Sequence, residues 1–210
     1  MFKEGLLDKV LRSTKKLVPK PVFDFLAPSY HMILAYFGAL VYGFPSRSMK
    51  VIGVTGTKGK STVVYLISKV LEKSGHDVAA IGSLGFKIKD KEWPNNIKMT
   101  MPGRFKLQSF LYRAKKAGCK YVVIEATSEG IKQKRHLGIK FDCAVFTNLH
   151  KEHIESHGSF ENYYRAKQEL FEKTSNIHVL NSDDPNYEFF SKFPSKHTIF
   201  YGLEHGDMKA

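Results

Sequence analysis

The stretch VIGVTGTKGKSTVVYLISKVLEKSG, from Val51 to Gly75, decides the fold of this chain. Its first residues form an apolar run that predicts a buried parallel β-strand. The segment KSTVVYLISKVLEKSG predicts an amphipathic helix that ends at Gly75. We expect the inward face of that helix to consist of Val63, Leu66, Ile67, Val70 and Leu71.

The loop between this strand and helix has the composition of a phosphate-binding loop. Its glycines let successive backbone N–H groups point at an anion, and the helix N-terminus adds partial positive charge. Lys60 is placed to reach a β- or γ-phosphate, and Ser61 to put its hydroxyl on Mg²⁺. The spacing is G-x-x-G-x-x-G-K-S, with Val54 where G-x-x-x-x-G-K-[ST] has glycine. The alternative is a structural glycine turn, but the order of loop, lysine and hydroxyl favours a bound nucleoside triphosphate.

Outward from this stretch, strand-like and helix-like segments alternate. Further strands are predicted in DVAAIGS, KYVVIEAT, DCAVFTN, IHVLN and KHTIFYG, helices in GRFKLQSFLYRAKKAG and SFENYYRAKQELFEK, and an exposed hairpin in GFKIKDKEWP. Strands separated by helices need crossover connections. The predicted fold class is therefore α/β, a mostly parallel sheet with flanking helices and a P-loop NTPase-like site. A boundary divides a helical segment at 1–48 from an α/β domain at 49–210.

The composition is that of a basic globular protein, 42% hydrophobic and 25% charged. Cys119 and Cys143 lie far apart without metal-ligand spacing, which favours reduced, buried thiols in a cytosolic protein. The formal charge of +13 favours anionic partners, whether nucleotides, nucleic acid or a membrane surface. A solvated lysine-rich surface would give the same count.

The N-terminal segment leaves three alternatives open. The first twenty residues are basic and amphipathic and lack a secretory cleavage site. The uncharged run Phe25–Ser46 is long enough to span a bilayer, but Pro28 leaves only about fifteen residues for continuous helix. We predict a helix on a partner surface or at a membrane interface, with a transmembrane helix as the third alternative. Its large side chains share one face (Ile33, Tyr36, Phe37, Leu40, Val41) and its small ones form a stripe (Ala35, Ala39, Gly43).

Polar residues also follow other predicted strands. Glu125 ends the strand in YVVIEATSEG, where a carboxylate faces the ligand crevice of a parallel sheet and could complete a Mg²⁺ site with Ser61. The alternative role is to cap the next helix. The segment FTNLHKEHIESHG contains three histidines, at 150, 153 and 157, but not the H-E-x-x-H of a metalloprotease, so they are equally consistent with solvated polar residues. Lys167, on a helix beside aromatic residues, would alone be interpreted as a surface lysine.

Together these segments resemble the Mur ligases, which build the peptide stem of bacterial peptidoglycan. The resemblance runs from about Val51 to Pro185 and rests on GVTGTKGKST, MTMPG, EATSEGIKQKR, FTNLHKEHIESHGSFENYYRAKQELF and LNSDDP, in that order. The most similar branch adds the third amino acid to UDP-N-acetylmuramoyl-dipeptide. Folylpolyglutamate synthases share the loop, and Lys58 is more like theirs. A folate polyglutamylating ligase, or a nucleotide-binding fragment that needs a partner chain, are therefore the alternatives.

The resemblance implies an ATP-dependent ligase that forms C–N bonds through an acyl phosphate, with ATP and Mg²⁺ as cofactors. It also implies UDP-N-acetylmuramoyl-peptide and an amino acid as partners, no nucleic acid, and a cytoplasmic location. Peripheral membrane contact through residues 25–44 stays open.

Individual roles also follow from the resemblance. It implies catalytic roles for Lys60, His153 and Lys167. It implies that ATP is bound by Gly56, Thr57, Lys58, Gly59, Lys60, Ser61 and Thr62, with the backbone of 57–60 cradling the phosphates. One Mg²⁺ would be held by Ser61 and Glu125, and a second by Glu125, His153 and a carbamate on Lys167. The sugar nucleotide would contact Thr100, Ser128 and Arg135, and Asn148 would lie near the metals.

The chain also departs from the family pattern. Glu152 stands where the family usually has aspartate, which keeps a carboxylate, and Glu129 stands where it often has histidine, which puts a negative charge near an anionic substrate. About fifty residues stand in place of the family's uridine-binding domain, and the chain stops inside the expected central domain. We therefore expect an incomplete ligase that forms no amide bond alone.

Overall fold

The computed structural model describes residues 20–96, 99–150 and 158–209. The helices are α1 (Lys20–Val41), α2 (Lys60–Lys73), α3 (Arg104–Lys116), α4 (Ser128–Lys132), α5 (Phe160–Glu172) and α6 (Glu188–Ser191). The strands are β1 (Lys50–Thr55), β2 (Val78–Gly82), β3 (Gly85–Ile88), β4 (Lys91–Trp93), β5 (Tyr121–Glu125), β6 (Cys143–Phe146), β7 (Ile177–Asn181), β8 (His197–Gly202) and β9 (Met208–Lys209).

Within the described ranges the strands form one sheet in the order β4-β3-β2-β5-β1-β6-β7-β8-β9. Neighbours from β2 to β9 in that order pair in parallel, whereas β3 pairs antiparallel with β2 and β4. The predicted α/β class is confirmed. The predicted hairpin is present, but the prediction that it is exposed was partly wrong, because Phe86 and Ile88 of β3 are buried in the core. Since β1 lies between β5 and β6, the loop after β1 opens between the carboxyl ends of its neighbours, where ligands bind in such sheets.

Helices cover both faces of the sheet. Successive residues of each strand point their side chains alternately to one face and to the other. On one face α2 packs over Val54, Ala80 and Val123, and on the other α3 and α5 enclose the larger core with their apolar side chains, among them Leu107, Phe110 and Leu170.

The predicted inward face of α2 was partly wrong. Leu66 and Val70 are 53% and 64% exposed, and Val64 and Ser68 are buried instead. The helix has apolar residues on two overlapping faces, so helical periodicity alone is consistent with either face packing on the sheet. In the structure the face that contains Val64 packs on the sheet. The buried Ser68 hydroxyl has a hydrogen-bond partner there, because it donates to the Val64 carbonyl (2.7 Å).

Helix α1 runs through Pro28, so the prediction that continuous helix begins only after this proline was wrong. Pro28 lies on an exposed side of the helix, where water can bond the carbonyl that loses its intrahelical partner.

Ala35 and Ala39 of the predicted small-residue stripe face the α/β domain, whereas the third member, Gly43, lies beyond the end of α1 and is exposed. Ala35 and Ala39 are 1% and 0% exposed, and α1 packs against α3. A Cβ on Gly138 would lie 2.7 Å from the Ala39 Cβ, so the helix approaches this backbone closely. The predicted large face points away, with exposures of 47% to 64% for Ile33, Tyr36, Phe37, Leu40 and Val41. No helix in the described part of the chain has the length and apolar content needed to cross a bilayer.

Candidate phosphate- and metal-binding site

The glycine loop, residues 56–59, joins β1 to α2 and is braced by residues that follow β6. Gly56 has φ +152°, and a Cβ there would lie 1.9 Å from Thr147 Oγ1, so no larger residue fits. The amides of Thr57 and Lys58 donate to the carbonyl and side-chain oxygens of Asn148, at 2.9 and 2.8 Å. Asn148 Nδ2 and Thr147 Oγ1 donate back to the Lys58 carbonyl at 3.1 and 2.8 Å. Asn148, predicted to lie near the metals, therefore contacts the loop itself.

Because of these hydrogen bonds, we expect the phosphate contacts to lie nearer the helix than the sequence predicted. The amides of Thr57 and Lys58, predicted to cradle phosphate, donate to Asn148. Gly59, with φ +77°, precedes the first turn of α2, which begins at Lys60. Because the first amides of a helix have no intrahelical acceptor and lie at its positive end, we expect residues 59–62 to be the part of the loop that meets an anion.

Two lysines converge on the carbonyls of this loop. Lys60 Nζ donates to the Thr57 carbonyl and Lys167 Nζ to the Gly56 carbonyl, each at 2.6 Å. Lys167 comes from α5, is only 1% exposed, and lies 4.4 Å from the ring centroid of Tyr163. Burial and the charge of Lys60 lower the pKa of Lys167 to about 7. Lys167 is therefore a buried amine of the site and not a surface lysine.

Three oxygen-bearing side chains meet beside the loop. Ser61 Oγ donates to Glu125 Oε2 at 3.0 Å, and both the Ser83 hydroxyl and amide donate to the same oxygen, at 3.0 and 2.9 Å. The two hydroxyl oxygens also lie within hydrogen-bonding distance of each other, and because each hydroxyl has one proton, at most two of the three hydroxyl contacts are made at the same time. Mg²⁺ prefers oxygen ligands, so this donor set fits that ion. Ser83 was missed in the sequence, although it follows the end of β2 and the carboxyl ends of parallel strands share an edge.

The second predicted metal site is only partly visible. His153 and Glu152 lie outside the described residues. Among the residues that are described, no group of three His, Cys, Asp and Glu side chains is placed to hold a metal ion. His150 contributes its backbone amide, which donates to Thr57 Oγ1 at 2.9 Å.

The residues predicted to bind substrate follow β5 and precede α3. Ser128 is buried at the start of α4, three positions after Glu125. Arg135 is 7% exposed and donates through Nη1 to the carbonyl of Met101, the neighbour of Thr100. The structure thus brings the Arg135 guanidinium to the segment that contains Thr100.

Sequence reasoning also missed residues that hold the glycine loop and the segment after β6 by hydrogen bonds. Tyr163 shares a 3.1 Å hydrogen bond with Thr57 Oγ1. Asp184 Oδ2 accepts from the Leu149 amide at 2.8 Å, and Asn181 Nδ2 donates to the Thr147 carbonyl at 2.8 Å. Asn181 and Asp184 belong to the motif LNSDDP, whose spacing carried the resemblance without indicating these roles.

Known proteins are similar to most of this chain. The family described as Mur ligase middle domain matches residues 54–210. UDP-N-acetylmuramyl-tripeptide synthetase of Roseiflexus sp. (strain RS-1) is 39% identical over an alignment of 184 residues, and the alignment covers 81% of this chain and 36% of the relative. The solved structure of a UDP-N-acetylmuramoyl-L-alanyl-D-glutamate--2,6-diaminopimelate ligase is similar at TM-score 0.68 and 29% identity, covering 76% of this chain and 33% of that one.

A folate enzyme shares the fold alone. E. coli FolC, solved in complex with DHPP and ADP, is similar at TM-score 0.61 but only 19% identity, with 81% of this chain and 47% of that chain covered. The chain spans 36% of the length of the Roseiflexus relative, so the similarity concerns the nucleotide-site region of longer proteins.

Proposed function

Because the chain belongs to the Mur ligase family, we propose that it forms the ATP-binding part of a ligase that joins an amino acid to UDP-N-acetylmuramoyl-peptide during peptidoglycan precursor synthesis. The substrate carboxylate would take the γ-phosphoryl group of ATP, giving an acyl phosphate and ADP, and the amine would displace phosphate to form the amide. The observation that carries this proposal is the glycine loop with Lys60 on one side and the Ser61–Glu125 pair on the other. Similarity to a tripeptide synthetase and to a diaminopimelate ligase favours addition of the third residue.

The residues of the loop would bind and orient the triphosphate. The amides of residues 59–62 and the ammonium of Lys60 would contact its phosphate oxygens, and the bracing by Asn148 would keep the loop shape fixed. Ser61, Ser83 and Glu125 would hold Mg²⁺, which supplies charge neutralisation for the transferring phosphoryl group. Positioning and electrostatics would then account for most of the rate enhancement.

Lys167 would carry a carbamate. A neutral amine adds CO₂ and releases one proton, giving an anionic carbamate, and only the neutral form of lysine reacts. The lowered pKa of Lys167 supports this chemistry, because the neutral amine is populated near neutral pH. With His153 and Glu125 the new carboxylate would complete a second Mg²⁺ site.

The substrate contacts and the domain division are part of the same proposal. Thr100, Ser128 and Arg135 would bind the muramoyl-peptide, since they lie along the edge at which β5 ends. Residues 49–210 would form the ATP-binding domain and residues 1–48 a separate N-terminal segment. The names of relatives above 30% identity favour a muramoyl substrate over a folate.

We also propose that residues 25–44 contact an anionic lipid surface peripherally. The exposed large face of α1 supplies the apolar contact. The first twenty residues supply six basic side chains, Lys3, Lys9, Arg12, Lys15, Lys16 and Lys20, against the acidic Glu4 and Asp8. Basic residues beside an apolar helix face are the combination that attracts helices to anionic bilayers.

The nucleotide assignment is tested by Lys60→Ala. Loss of a charge-assisted contact to phosphate is expected to weaken Mg·ATP binding by about 1.5–3 kcal/mol, measured by titration calorimetry. Lys73→Ala, at the exposed far end of the same helix, is the matched control and should bind as the wild type does. Equal affinities for Lys60→Ala and the control would remove the loop assignment.

A further inference from the structure

Two arginines meet beside the proposed substrate residues without a carboxylate partner. Arg104, the first residue of α3, donates through Nη2 to the Gln133 carbonyl, and Arg135 Nη2 donates to Gln133 Oε1 at 2.7 Å. In the part of the chain that the structure describes, neither guanidinium lies within salt-bridge distance of a carboxylate, and the Nε atom of each is buried without a hydrogen-bond partner.

The two positive charges lie close enough to oppose each other. Burial and, after it, the charge of Arg135 lower the pKa of Arg104 to about 10, and Tyr30 of α1 acts in the opposite direction. Burial also lowers the pKa of Arg135, with Glu129 acting in the opposite direction, and Glu129 Oε1 accepts from Gln133 Nε2 at 2.5 Å. Both guanidinium groups stay charged at neutral pH, and a buried charge without a partner destabilises the fold.

The position of the pair suits an anionic ligand. Arg135 also donates to the carbonyl of Met101, so the pair lies between the segment that contains Thr100 and the N-terminus of α3. The positive end of that 13-residue helix adds to the local potential. Each guanidinium presents a planar set of donors that matches the two oxygens of a carboxylate or phosphate.

We propose that Arg104 and Arg135 form a clamp for an oxyanion of the acid substrate, with Arg104 as a binding residue that no sequence motif singled out. The clamp rests on the proposed function, since the oxyanion would belong to the muramoyl-peptide. Its peptide carboxylates and its nucleotide phosphates are two sources of the same chemistry. Binding would supply a counter-charge that the described part of the chain does not place beside the two guanidinium groups.

The test compares Arg104→Met with Lys115→Met, which removes an exposed charge from the same helix. Both changes are made in the Lys60→Ala chain, so that the glycine loop contributes less to anion binding. Pyrophosphate and glutarate are titrated separately, and thermal unfolding is followed with and without each anion.

We expect Arg104→Met to weaken anion binding by roughly tenfold or more, and Lys115→Met to leave it unchanged. We also expect Arg104→Met to keep or raise the melting temperature without anion, because a half-buried charge with no carboxylate partner among the described residues is removed. A response to glutarate assigns the clamp to the peptide end of the substrate, and a response to pyrophosphate assigns it to the nucleotide end.

Unchanged anion affinity in Arg104→Met overturns the clamp, especially if its melting temperature falls, because Arg104 would then serve only to bond the Gln133 carbonyl. If Arg104→Met does not fold, Arg104→Lys keeps the charge without the planar donors, and wild-type anion affinity in that variant would refute the clamp equally. Mg·ATP affinity is measured for Arg104→Met with Lys60 intact. Loss of Mg·ATP affinity in this variant would count against the proposed function. Retained Mg·ATP affinity means that the result for the clamp can be judged separately from the proposed function.

Discussion

Lys167 has properties that its sequence context does not indicate. It lies on an amphipathic helix among charged residues, yet its amine is buried beneath the glycine loop and bonded to the Gly56 carbonyl. Helical periodicity places Lys167 beside Tyr163, one turn earlier on the same helix. The periodicity could not show that the loop between β1 and α2 covers both residues, because that contact joins parts of the chain 111 positions apart.

The lowered pKa of Lys167 predicts a pH dependence of stability. Between the folded pKa of about 7 and the ordinary value of 10.5, the unfolded chain binds a proton that the folded chain does not, so stability rises with pH across that window. Below the folded pKa both states are protonated and the full burial penalty applies. Lys167→Met should therefore be more stable than the wild type near neutral pH, and this advantage should shrink by up to ~1.4 kcal/mol per pH unit on going alkaline.

Urea unfolding of the wild type, Lys167→Met and the exposed control Lys173→Met in CO₂-free buffer at about pH 6, 8 and 10 measures this difference. A constant difference between wild type and Lys167→Met at all three values would contradict the lowered pKa. Adding ¹³C-labelled bicarbonate should then give a carbamate carbon resonance in the wild type and in Lys173→Met. That resonance should be absent from Lys167→Met.

At the scale of elements, α1 is held by close approach of small residues. Ala39 has no exposed surface, and the Gly138 backbone leaves no space for a longer side chain. Ala39→Leu should lower stability by about 1–3 kcal/mol through overpacking. It should also expose α1 to limited proteolysis, read as faster cleavage of the N-terminal segment. Leu40→Ala, one position along on the exposed face, is the control, and equal cleavage of the two variants would mean that α1 does not depend on this contact.

Helical faces were predictable here, but their neighbours were not. The large face of α1 and the two alanines of its small face follow from residue spacing alone and exist in the structure, although Gly43 lies beyond the end of the helix. Which face meets the domain depends on Gly138, far away in the sequence, and the same limit made the inward face of α2 partly wrong. Strand ends were more predictable, because parallel strands bring their carboxyl ends to one edge. This rule predicted that Ser61 lies near Glu125, and it also holds for Ser83, whose position the sequence analysis did not predict.

At the scale of the whole molecule, the charge of +13 and the exposed face of α1 predict association with anionic lipid. Wild-type chain should float with vesicles that contain anionic lipid at low salt. The double variant Ile33→Glu, Leu40→Glu should stay in the soluble fraction, because charges on this face oppose contact with the bilayer while the buried stripe is unchanged.

The matched control places the same two charges elsewhere. Leu66→Glu, Val70→Glu alters exposed apolar positions of α2 and should float as the wild type does. If wild type and both double variants all remain soluble at low salt, α1 only packs against its own domain. If both double variants lose flotation equally, net charge and not the face of α1 governs the association.

The brace that Asn148 provides has a kinetic consequence. Because the amides of Thr57 and Lys58 donate to Asn148, the chain itself fixes the shape of the loop that we propose to bind the phosphates. A pre-ordered receptor loses little conformational entropy when its ligand binds. Capture of the nucleotide would then proceed at the rate of encounter, without waiting for the loop to rearrange. Selection among nucleotides would depend on how long each one stays bound.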